Sequence, residues 1–385
     1  MNKPMTLLFA STILCIILLI LSSDGLCQSP INSRQLSFTK SDQLFEPAWT
    51  RHILLRDFDG DGDLDAVFAN CTSHHSRIWL NDGLGNFSMT EQTLSEAAHG
   101  IDTGDLDGDG DIDLFITCHY YMESGEPRHR SSKVYLNDGK ARFVEDGQEI
   151  GDSLYSGNVV KLNDIDKDGD LDALVSYYKE PNKIFLNDGK GQFALSDFSY
   201  PDVSDFGDLN GNGTLDILAR NRGTGFEFWS GNGDGTFTKI WERPDSALQY
   251  GLSHFCDFDC DEDLDAILTD FNLSEGLPTR VWFNDGSGRF SESASLPGVF
   301  RGTISFGDLN SDGYPDAVAT NHDAEAQIWL NDGSGTLVDS GFRLGASSDK
   351  YESAAIGDID GDGDLDILLA EGRGGRNTIW FNMLQ

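Results

Sequence analysis

Residues 57–65 read Asp57-Phe58-Asp59-Gly60-Asp61-Gly62-Asp63-Leu64-Asp65, and this nine-residue pattern returns six more times in the same register. The later copies begin at Asp105, Asp164, Asp208, Asp257, Asp308 and Asp358. Successive copies start 44 to 59 residues apart. A period near fifty residues is typical of a repeat architecture, in which each repeat is one supersecondary unit.

The acids within each copy have the spacing that a hard cation requires. Carboxylates at positions 1, 3, 5 and 9 converge in a tight loop, position 7 offers its backbone carbonyl, and Gly at position 6 permits the sharp bend. A single acidic, Gly-rich stretch is typical of a solvated turn. Seven copies in register, each followed by an apolar run, favour calcium instead. Because the closing acid stands at position 9, these loops are not EF-hands, which close with Glu at position 12.

The pattern therefore predicts up to seven structural Ca²⁺ ions. The predicted metal ligands are Asp57, Asp59, Asp61, Asp63 and Asp65; Asp105, Asp107, Asp109, Asp111 and Asp113; Asp164, Asp166, Asp168, Asp170 and Asp172; Asp208, Asn210, Asn212 and Asp216; Asp257, Asp259, Asp261, Asp263 and Asp265; Asp308, Asn310, Asp312 and Asp316; and Asp358, Asp360, Asp362, Asp364 and Asp366. The fourth loop is less charged, since Asn replaces two of its acids. The fifth places Glu262 where the Gly should be, so we expect that loop to be strained or weak.

The runs around each acidic loop are too short for helices and predict four strands per repeat. The third strand ends in an Asn-Asp-Gly turn such as Asn81-Asp82-Gly83, which is hairpin chemistry. An aromatic residue stands at the centre of this strand in every repeat. We expect these rings to pack between neighbouring sheets rather than to form a carbohydrate-stacking ladder: Trp79, Tyr135, Phe185, Trp229, Trp282, Trp329 and Trp380.

Seven repeats of four short strands predict an all-β fold, a seven-bladed β-propeller of four-stranded blades. The last repeat ends after its third strand, at Asn382, whereas residues 35–39 resemble a fourth strand without a repeat of its own. We therefore predict that this N-terminal strand completes the last blade and closes the ring, which removes an open sheet edge. The predicted propeller spans residues 34–385.

Residues 1–27 combine Lys3 with an apolar run from Leu7 to Leu21, which predicts a secretory signal peptide. Attachment to a surface through a lipidated Cys27 is left open. The formal net charge of −38 argues against a nucleic acid or an anionic membrane as partner. We expect a secreted protein, extracellular or periplasmic, that is a monomer and has no membrane span after signal cleavage. In an oxidising compartment, cysteines pair, and the candidate pairs are Cys256 with Cys260 and Cys71 with Cys118.

The segments Phe206-Gly207-Asp208-Leu209-Asn210 and Phe306-Gly307-Asp308-Leu309-Asn310 resemble the FG-GAP and VCBS repeats of integrin α-chain propellers and of many secreted bacterial proteins. The resemblance covers essentially the whole chain after the leader. It implies that calcium loops join strands one and two on one face, that ligands bind on the opposite face, and that the protein serves adhesion or ligand recognition outside the cell. The family also includes propellers that are accessory modules of enzymes. Cys260, Glu262 and Tyr314-Pro315 depart from its pattern.

Strand parity places the loops between strands two and three, and between strands four and one, on the face opposite the acidic loops. We call this the far face. Aromatic, Arg and His side chains there are those that a recognition surface uses. The candidates in the first kind of loop are His74, His75, His119, Tyr120, Tyr121, Tyr177, Tyr178, Arg220, Arg222, His322 and Arg373, and His99 and Tyr351 adjoin the second kind.

These features predict a recognition or adhesion module for a glycan or a protein ligand. One alternative is a carbohydrate-active propeller enzyme, a lyase or hydrolase. No catalytic constellation stands out against the recurring calcium acids, so no catalytic residue is predicted. The other alternative is a structural envelope protein.

Overall fold

Each repeat folds as one four-stranded antiparallel sheet, here called a blade and numbered by its acidic loop. The computed structural model describes residues 35–119, 121–123, 126–128, 130–151, 157–177, 180–200, 205–221, 225–244, 253–268, 279–296, 302–322 and 324–384. The predicted signal peptide, residues 1–27, lies outside this part of the chain. The seven blades form a ring, which confirms the predicted seven-bladed β-propeller.

The first three blades follow one another along the chain. Blade 1 consists of β2 (Thr50–Arg56), β3 (Asp65–Asn70), β4 (Arg77–Leu80) and β5 (Ser88–Met89). Blade 2 consists of β6 (Ala98–Gly104), β7 (Asp113–Cys118), β10 (Lys133–Leu136) and β11 (Val144–Glu145), and a hairpin of β8 (Tyr121–Glu123) and β9 (Glu126–Arg128) is inserted between its second and third strands. Blade 3 consists of β12 (Gly157–Asn163), β13 (Asp172–Tyr177), β14 (Glu180–Asn187) and β15 (Phe193–Tyr200).

The next three blades repeat the same order. Blade 4 consists of β16 (Phe206–Gly207), β17 (Asp216–Asn221), β18 (Gly225–Gly231) and β19 (Phe237–Pro244). Blade 5 consists of β20 (Ser253–Cys256), β21 (Asp265–Leu268), β22 (Thr279–Asn284) and β23 (Phe290–Leu296). Blade 6 consists of β24 (Ile304–Gly307), β25 (Asp316–Ala319), β26 (Ala326–Asn331) and β27 (Leu337–Leu344).

Blade 7 joins the two ends of the propeller. It consists of β28 (Tyr351–Gly357), β29 (Asp366–Glu371) and β30 (Thr378–Asn382), with β1 (Phe38–Lys40) as its outer strand. The β1 strand pairs antiparallel to β30, with Phe38 opposite Asn382 and Lys40 opposite Trp380. The prediction that the N-terminal strand closes the ring is therefore confirmed.

The core lies between adjacent blades rather than within one of them. One cluster, for example, joins Val67 and Ile78 of blade 1 to Ile101 and Leu114 of blade 2. The third-strand aromatics belong to these layers: Trp79, Tyr135, Phe185, Trp282 and Trp329 are at most 6% exposed, whereas Trp229 and Trp380 are partly exposed. Packing between sheets is thus confirmed as their role.

Both proposed disulfides are wrong, because Cys71, Cys118 and Cys256 are free thiols. The Cys256 side chain packs in the apolar layer between blades 5 and 6, whereas Cys260 lies in the acidic loop with a left-handed φ of 62°. Cys118 is likewise packed in the core between blades 1 and 2. Within the described residues, no helix is long and apolar enough to cross a membrane.

Candidate functional site

The acidic loops share one backbone conformation in which positions 4 and 6 have positive φ. In loop 1 these are Gly60 and Gly62, at 78° and 98°. Where another residue takes the place of Gly, the conformation persists: Lys167 has a φ of 63° at position 4 and Glu262 has a φ of 76° at position 6. A side chain in this region costs about 1–2 kcal/mol. The predicted strain at Glu262 is therefore confirmed, and the same strain at position 4 was not foreseen.

The carboxylate at position 1 organises the loop that follows it. In loop 1, Gly60 N donates to Asp57 Oδ1 at 2.7 Å and Gly62 N donates to Asp57 Oδ2 at 3.0 Å. The amide of Asp63 donates to Asp61 Oδ1 at 3.0 Å. These bonds wrap the backbone around the acids and hold neighbouring carboxylates close together, although residues 57–65 contain no Lys, Arg or His to balance their charge.

The buried acid at position 9 ties the loop to the sheet. In loop 1, Phe58 N donates to Asp65 Oδ2 at 3.1 Å and Asn81 N, at the end of the third strand, donates to Asp65 Oδ1 at 2.9 Å. Burial raises the pKa of Asp65 to about 7. The same pair of backbone hydrogen bonds recurs in all seven blades, at Asp65, Asp113, Asp172, Asp216, Asp265, Asp316 and Asp366.

In five loops, oxygen atoms from three carboxylates lie within 4.8 Å of one another. The groups are Asp57, Asp59 and Asp61; Asp105, Asp107 and Asp113; Asp164, Asp166 and Asp172; Asp257, Asp259 and Asp265; and Asp358, Asp360 and Asp366. Burial, followed by the charge of Asp109, raises the pKa of Asp107, and the position-3 acids of loops 1, 3, 5 and 7 shift in the same direction for the same reasons.

The donor set in these loops fits a hard divalent cation. It consists of oxygen atoms alone, which is the chemistry that Ca²⁺ prefers. Two of these oxygens, Asp164 Oδ1 and Asp259 Oδ1, are buried and have no hydrogen-bond partner among the described residues. A buried carboxylate oxygen without a donor is costly unless a cation compensates it.

The acids at position 7 have a different orientation. A Cβ on Gly83, in the turn between strands three and four, would lie 2.5 Å from Asp63 Oδ2, so the Asp63 side chain packs against that turn. Asp111 and Asp170 approach the corresponding turn glycines in the same way. Their side chains are therefore engaged at the turn, which leaves the backbone carbonyl as their predicted contribution to the loop.

Loops 4 and 6 are weaker candidates because amide side chains replace acids. Asn210 Nδ2 donates to Ser230 Oγ at 2.9 Å in loop 4, and Asn310 Nδ2 donates to Asp312 Oδ2 at 2.9 Å in loop 6. Lys167, from loop 3, also lies beside loop 4, since its Nζ would be 3.8 Å from a Cβ on Gly213.

In six of the seven blades, the Asn that ends the third strand clasps the blade to the preceding one by a side-chain hydrogen bond. Asn137 Nδ2 of blade 2 donates to the Phe58 carbonyl of loop 1 at 2.8 Å. Corresponding bonds of 2.8 to 2.9 Å are made by Asn81, Asn187, Asn284, Asn331 and Asn382. In blade 4 the position is Gly231, which has no side chain to make this bond.

On the far face, polar side chains from adjacent blades form an arc at the start of the first strands. The pairing register shifts at Arg51 in blade 1, His99 in blade 2, Asn158 in blade 3 and Glu352 in blade 7. Such bulges re-aim a side chain away from the regular alternation of a strand. The four residues therefore do not follow the period-2 pattern, and Arg51, Asn158 and Glu352 were missed in the sequence.

Glu352 is the most buried member of the arc, with a side chain 5% exposed. Arg51 Nη1 donates to Glu352 Oε2 at 2.5 Å, Trp49 Nε1 donates to Oε1 at 3.3 Å, and His322 Nε2 lies 2.8 Å from Oε2. Burial alone would raise the pKa of Glu352, but the His322 hydrogen bond and the Arg51 charge outweigh it and lower that pKa.

The other half of the arc contains two stacked imidazole rings. His99 Nδ1 lies 2.8 Å from Asn158 Oδ1, and the His99 ring stacks on His119 with centroids 4.5 Å apart. Burial, with the charge of Arg51 as a smaller cause, lowers the pKa of His99. Two further histidines on the first strands, His52 and His254, have pKa values lowered to about 4 and about 3 by burial and the charge of Lys161.

The predicted far-face residues have mixed outcomes. His74, His75 and Arg373 are exposed, and His119 and His322 are partly exposed. Tyr177 and Tyr351 are corrections: they are 4% and 0% exposed and belong to the core, because their rings fill the layers between blades. The positions of Tyr121 and Arg220 are described by backbone pairing alone. Tyr120, Tyr178 and Arg222 lie outside the described residues.

Comparisons with known proteins agree with this geometry. The model of the FG-GAP-like repeat family matches residues 57–116, 164–219, 208–268, 257–319 and 308–369. The T-cell immunomodulatory protein of Mus musculus is 23% identical over 325 residues, which are 75% of this chain and 53% of that protein. Human integrin alpha-IIb is 25% identical over 221 residues, or 49% of this chain and 21% of that protein.

A lectin of Agrocybe aegerita that recognises non-reducing terminal N-acetylglucosamine has a similar fold. Its TM-score is 0.52 at 18% identity, with 79% of this chain and 81% of the lectin covered. At this identity the likeness concerns the fold alone. The chain spans about half the length of the T-cell immunomodulatory proteins it matches.

Proposed function

The chain belongs to the FG-GAP-like repeat family, and on that premise we propose that it is a secreted, calcium-stabilised propeller that recognises a ligand through its far face. The observation that carries this proposal is the gathering of three carboxylates within 4.8 Å in five of the acidic loops. An acidic loop of this kind needs a cation to offset the mutual repulsion of its charges.

Calcium would act as a structural ion. The candidate ligands are the loop acids and amides at positions 1, 3, 5 and 9 with the carbonyl at position 7, and the three-carboxylate loops 1, 2, 3, 5 and 7 are the strongest candidates. If each loop had a dissociation constant of about 0.1 mM, then about 1 mM calcium would stabilise the fold by roughly 1.4 kcal/mol per loop. Up to seven loops would give about 10 kcal/mol, comparable with a typical folding free energy.

Recognition is assigned to the far face because the opposite face is occupied by the acidic loops and turns. The arc of Arg51, Glu352, His322 and His99 presents charges of both signs and two imidazole rings there. Secretion accords with the apolar leader and with the millimolar calcium of extracellular media. The ligand is a glycan or a protein of that environment, and integrin alpha-IIb and the Agrocybe lectin are matches of related fold.

Calcium binding is tested by titrating calcium into chelator-treated protein in a calorimeter. Asp107→Ala, within the loop 2 cluster, should remove one site, because no side-chain oxygen remains at position 3. The matched control Asp138→Ala changes an exposed turn acid outside the cluster and should leave the stoichiometry unchanged. Absence of binding heat, or equal stoichiometry in both variants, would refute the assignment.

The face is tested by blocking each side in turn with a bulky polymer on a single introduced cysteine. His74→Cys places the polymer on the far face and Leu84→Cys places it at an exposed turn beside the acidic loops. The probes are a printed glycan array and immobilised extracellular-matrix proteins. Capture of the ligand should be lost only when the polymer is on the far face. Loss of capture only with the polymer beside the acidic loops would place the ligand on that face and refute the assignment.

A further inference from the structure

A cleft of about 800 Å³ opens on the far face between blades 1 and 2. It is bounded by the segment that joins β5 to β6 and by the third and fourth strands of blade 2. Its volume lies in the range of about 300–1,000 Å³ that small-molecule sites occupy.

The floor of this cleft is neutral and carries hydroxyl groups. Ser95 Oγ and Tyr135 Oη lie 2.8 Å apart and share a hydrogen bond. Burial raises the pKa of Tyr135 to about 12 and that of Cys118, also on the floor, to about 11. Both groups therefore keep their protons at neutral pH, so the floor offers polar atoms without charge.

The rim carries charges of both signs in ion pairs that reach the solvent. Arg130 Nη2 lies 2.7 Å from Glu96 Oε2, and His75 Nε2 lies 3.3 Å from Glu96 Oε1. Lys133 Nζ lies 2.8 Å from Glu145 Oε1. The four side chains of Glu96, Arg130, Lys133 and Glu145 are 22% to 42% exposed, so they are half-solvated and each can form further hydrogen bonds.

This distribution of charge selects a class of ligand. An anion would meet Glu96, Glu145 and Glu149, and a cation would meet Arg130 and Lys133. An apolar ligand would remove water from the charged rim side chains without replacing the hydrogen bonds that the water makes to them. A ligand rich in neutral hydroxyl groups satisfies both kinds of rim residue, because each hydroxyl donates to a carboxylate and accepts from a guanidinium or ammonium group.

The wall of the cleft is built where blade 2 departs from the other repeats. The spacing of 59 residues to the next acidic loop is the longest in the chain. The extra residues include the β8–β9 hairpin, and Arg130 lies two residues after its end. Insertions in repeat proteins map to loops on one face, which is often the binding face.

We infer that the cleft between blades 1 and 2 is the binding site of a neutral saccharide, which is held between the Glu96–Arg130 and Lys133–Glu145 ion pairs. This inference rests on the proposed recognition role of the far face and names its ligand class and its location. The charged rim orients the sugar hydroxyls, and the Ser95 and Tyr135 hydroxyls reach the part of the ligand that enters deepest.

The experiment is saturation-transfer NMR on the calcium-loaded full chain. The neutral probes are lactose, cellobiose, mannobiose and N,N′-diacetylchitobiose, and the charged probes are glucuronic acid, N-acetylneuraminic acid and glucosamine. The variants are Glu96→Gln and Lys133→Gln. Glu242→Gln is the control, because Glu242 forms a similar exposed ion pair with Lys239 in blade 4. Melting curves in calcium establish that each variant is folded.

At least one neutral disaccharide should bind, and its affinity should fall about tenfold or more in Glu96→Gln and Lys133→Gln but not in the control, as expected for a lost charge-assisted hydrogen bond. Binding of charged sugars alone would overturn the ligand class, and neutral binding unaffected by both variants would overturn the location. Binding of no sugar would refute the inference. In that case, if the chain captures a matrix protein and the polymer at position 74 blocks this capture, the far face would still be the recognition surface, with a protein as its ligand.

Discussion

Replacing Glu352 by Ala should destabilise the propeller by about 3 kcal/mol. The carboxylate is 5% exposed and receives hydrogen bonds from Arg51, Trp49 and His322. Breaking a buried charge pair costs about 3–5 kcal/mol because the remaining charge stays unpaired. We take the lower value, since the side chains of Arg51 and His322 are 26% and 30% exposed and water can recover part of their solvation.

The assay is thermal and urea unfolding in saturating calcium. An unfolding entropy of about 2.1 cal/mol/K per residue over about 350 residues converts 3 kcal/mol into a melting point about 4 °C lower. The control is Asp339→Ala, which removes an exposed ion pair with Arg343. Exposed pairs contribute about 0–1 kcal/mol. Equal effects of the two variants would refute the claim that Glu352 fastens blades 1, 6 and 7 together.

Three further outcomes follow from other contacts. Asn137→Ala should cost about 2 kcal/mol in urea unfolding, because it removes a buried hydrogen bond of 2.8 Å to the Phe58 carbonyl and a partly buried one of 3.2 Å to the Ile112 carbonyl. The control Asn86→Ala, at an exposed position, should stay within about 0.5 kcal/mol, and similar losses in the two variants would disprove the clasp. Glu262→Gly should stabilise the protein by about 0.5 kcal/mol, because Gly adopts a φ of 76° without strain. Gly363→Ala, at the same loop position with a φ of 92°, should destabilise the protein by about 1 kcal/mol. Effects of the same sign in the two variants would contradict the strain at this position. In chelator, the protein should melt at a higher temperature at pH 5.5 than at pH 8. Folding raises the pKa of four position-9 acids from 3.8 to about 7: Asp65, Asp113, Asp172 and Asp366. These acids therefore destabilise the folded state increasingly as pH rises from about 3.8 to about 7. His52, His99 and His254, with lowered pKa values, oppose this trend only below about pH 6.5. A higher melting point at pH 8 would show that the acids are not destabilising.

The features that the sequence predicted are those encoded within one repeat. The acid spacing, the short apolar runs and the Asn-Asp-Gly turns recur at a fixed period, so seven copies strengthen each other. The outer strand of blade 7 was also predictable, because residues 35–39 had no repeat of their own. The strand lies slightly later than expected, since Phe38–Lys40 pairs with residues 380–382.

The features that were missed depend on contacts between blades. The Asn137 amide meets a carbonyl 79 residues away in sequence, and Glu352 meets Arg51 at a separation of 301 residues. Bulges at Arg51 and Glu352 interrupt the period-2 pattern, so alternation cannot predict where these side chains lie. The Cys256 thiol faces the core because of its place on β20, which sequence proximity to Cys260 does not reveal.

The position-9 acids illustrate a partial success. Their spacing identified them as loop residues, and Asp113, Asp172, Asp265 and Asp366 do lie in the carboxylate clusters. Their second task, accepting amide hydrogen bonds from position 2 and from the third strand, has no sequence signature of its own. The acid that recurs at position 9 therefore stabilises the sheet in addition to its predicted role as a calcium ligand.

The most direct test of the central claim is the melting temperature of the protein in about 1 mM calcium and again in excess chelator at pH 8. Loss of about 10 kcal/mol of calcium stabilisation should lower the melting point by more than about 10 °C, on the entropy of about 2.1 cal/mol/K per residue used above, or leave the ring unfolded at room temperature. Coincident melting curves in the two conditions would show that calcium does not stabilise these seven loops, and the account of a calcium-stabilised propeller would fail.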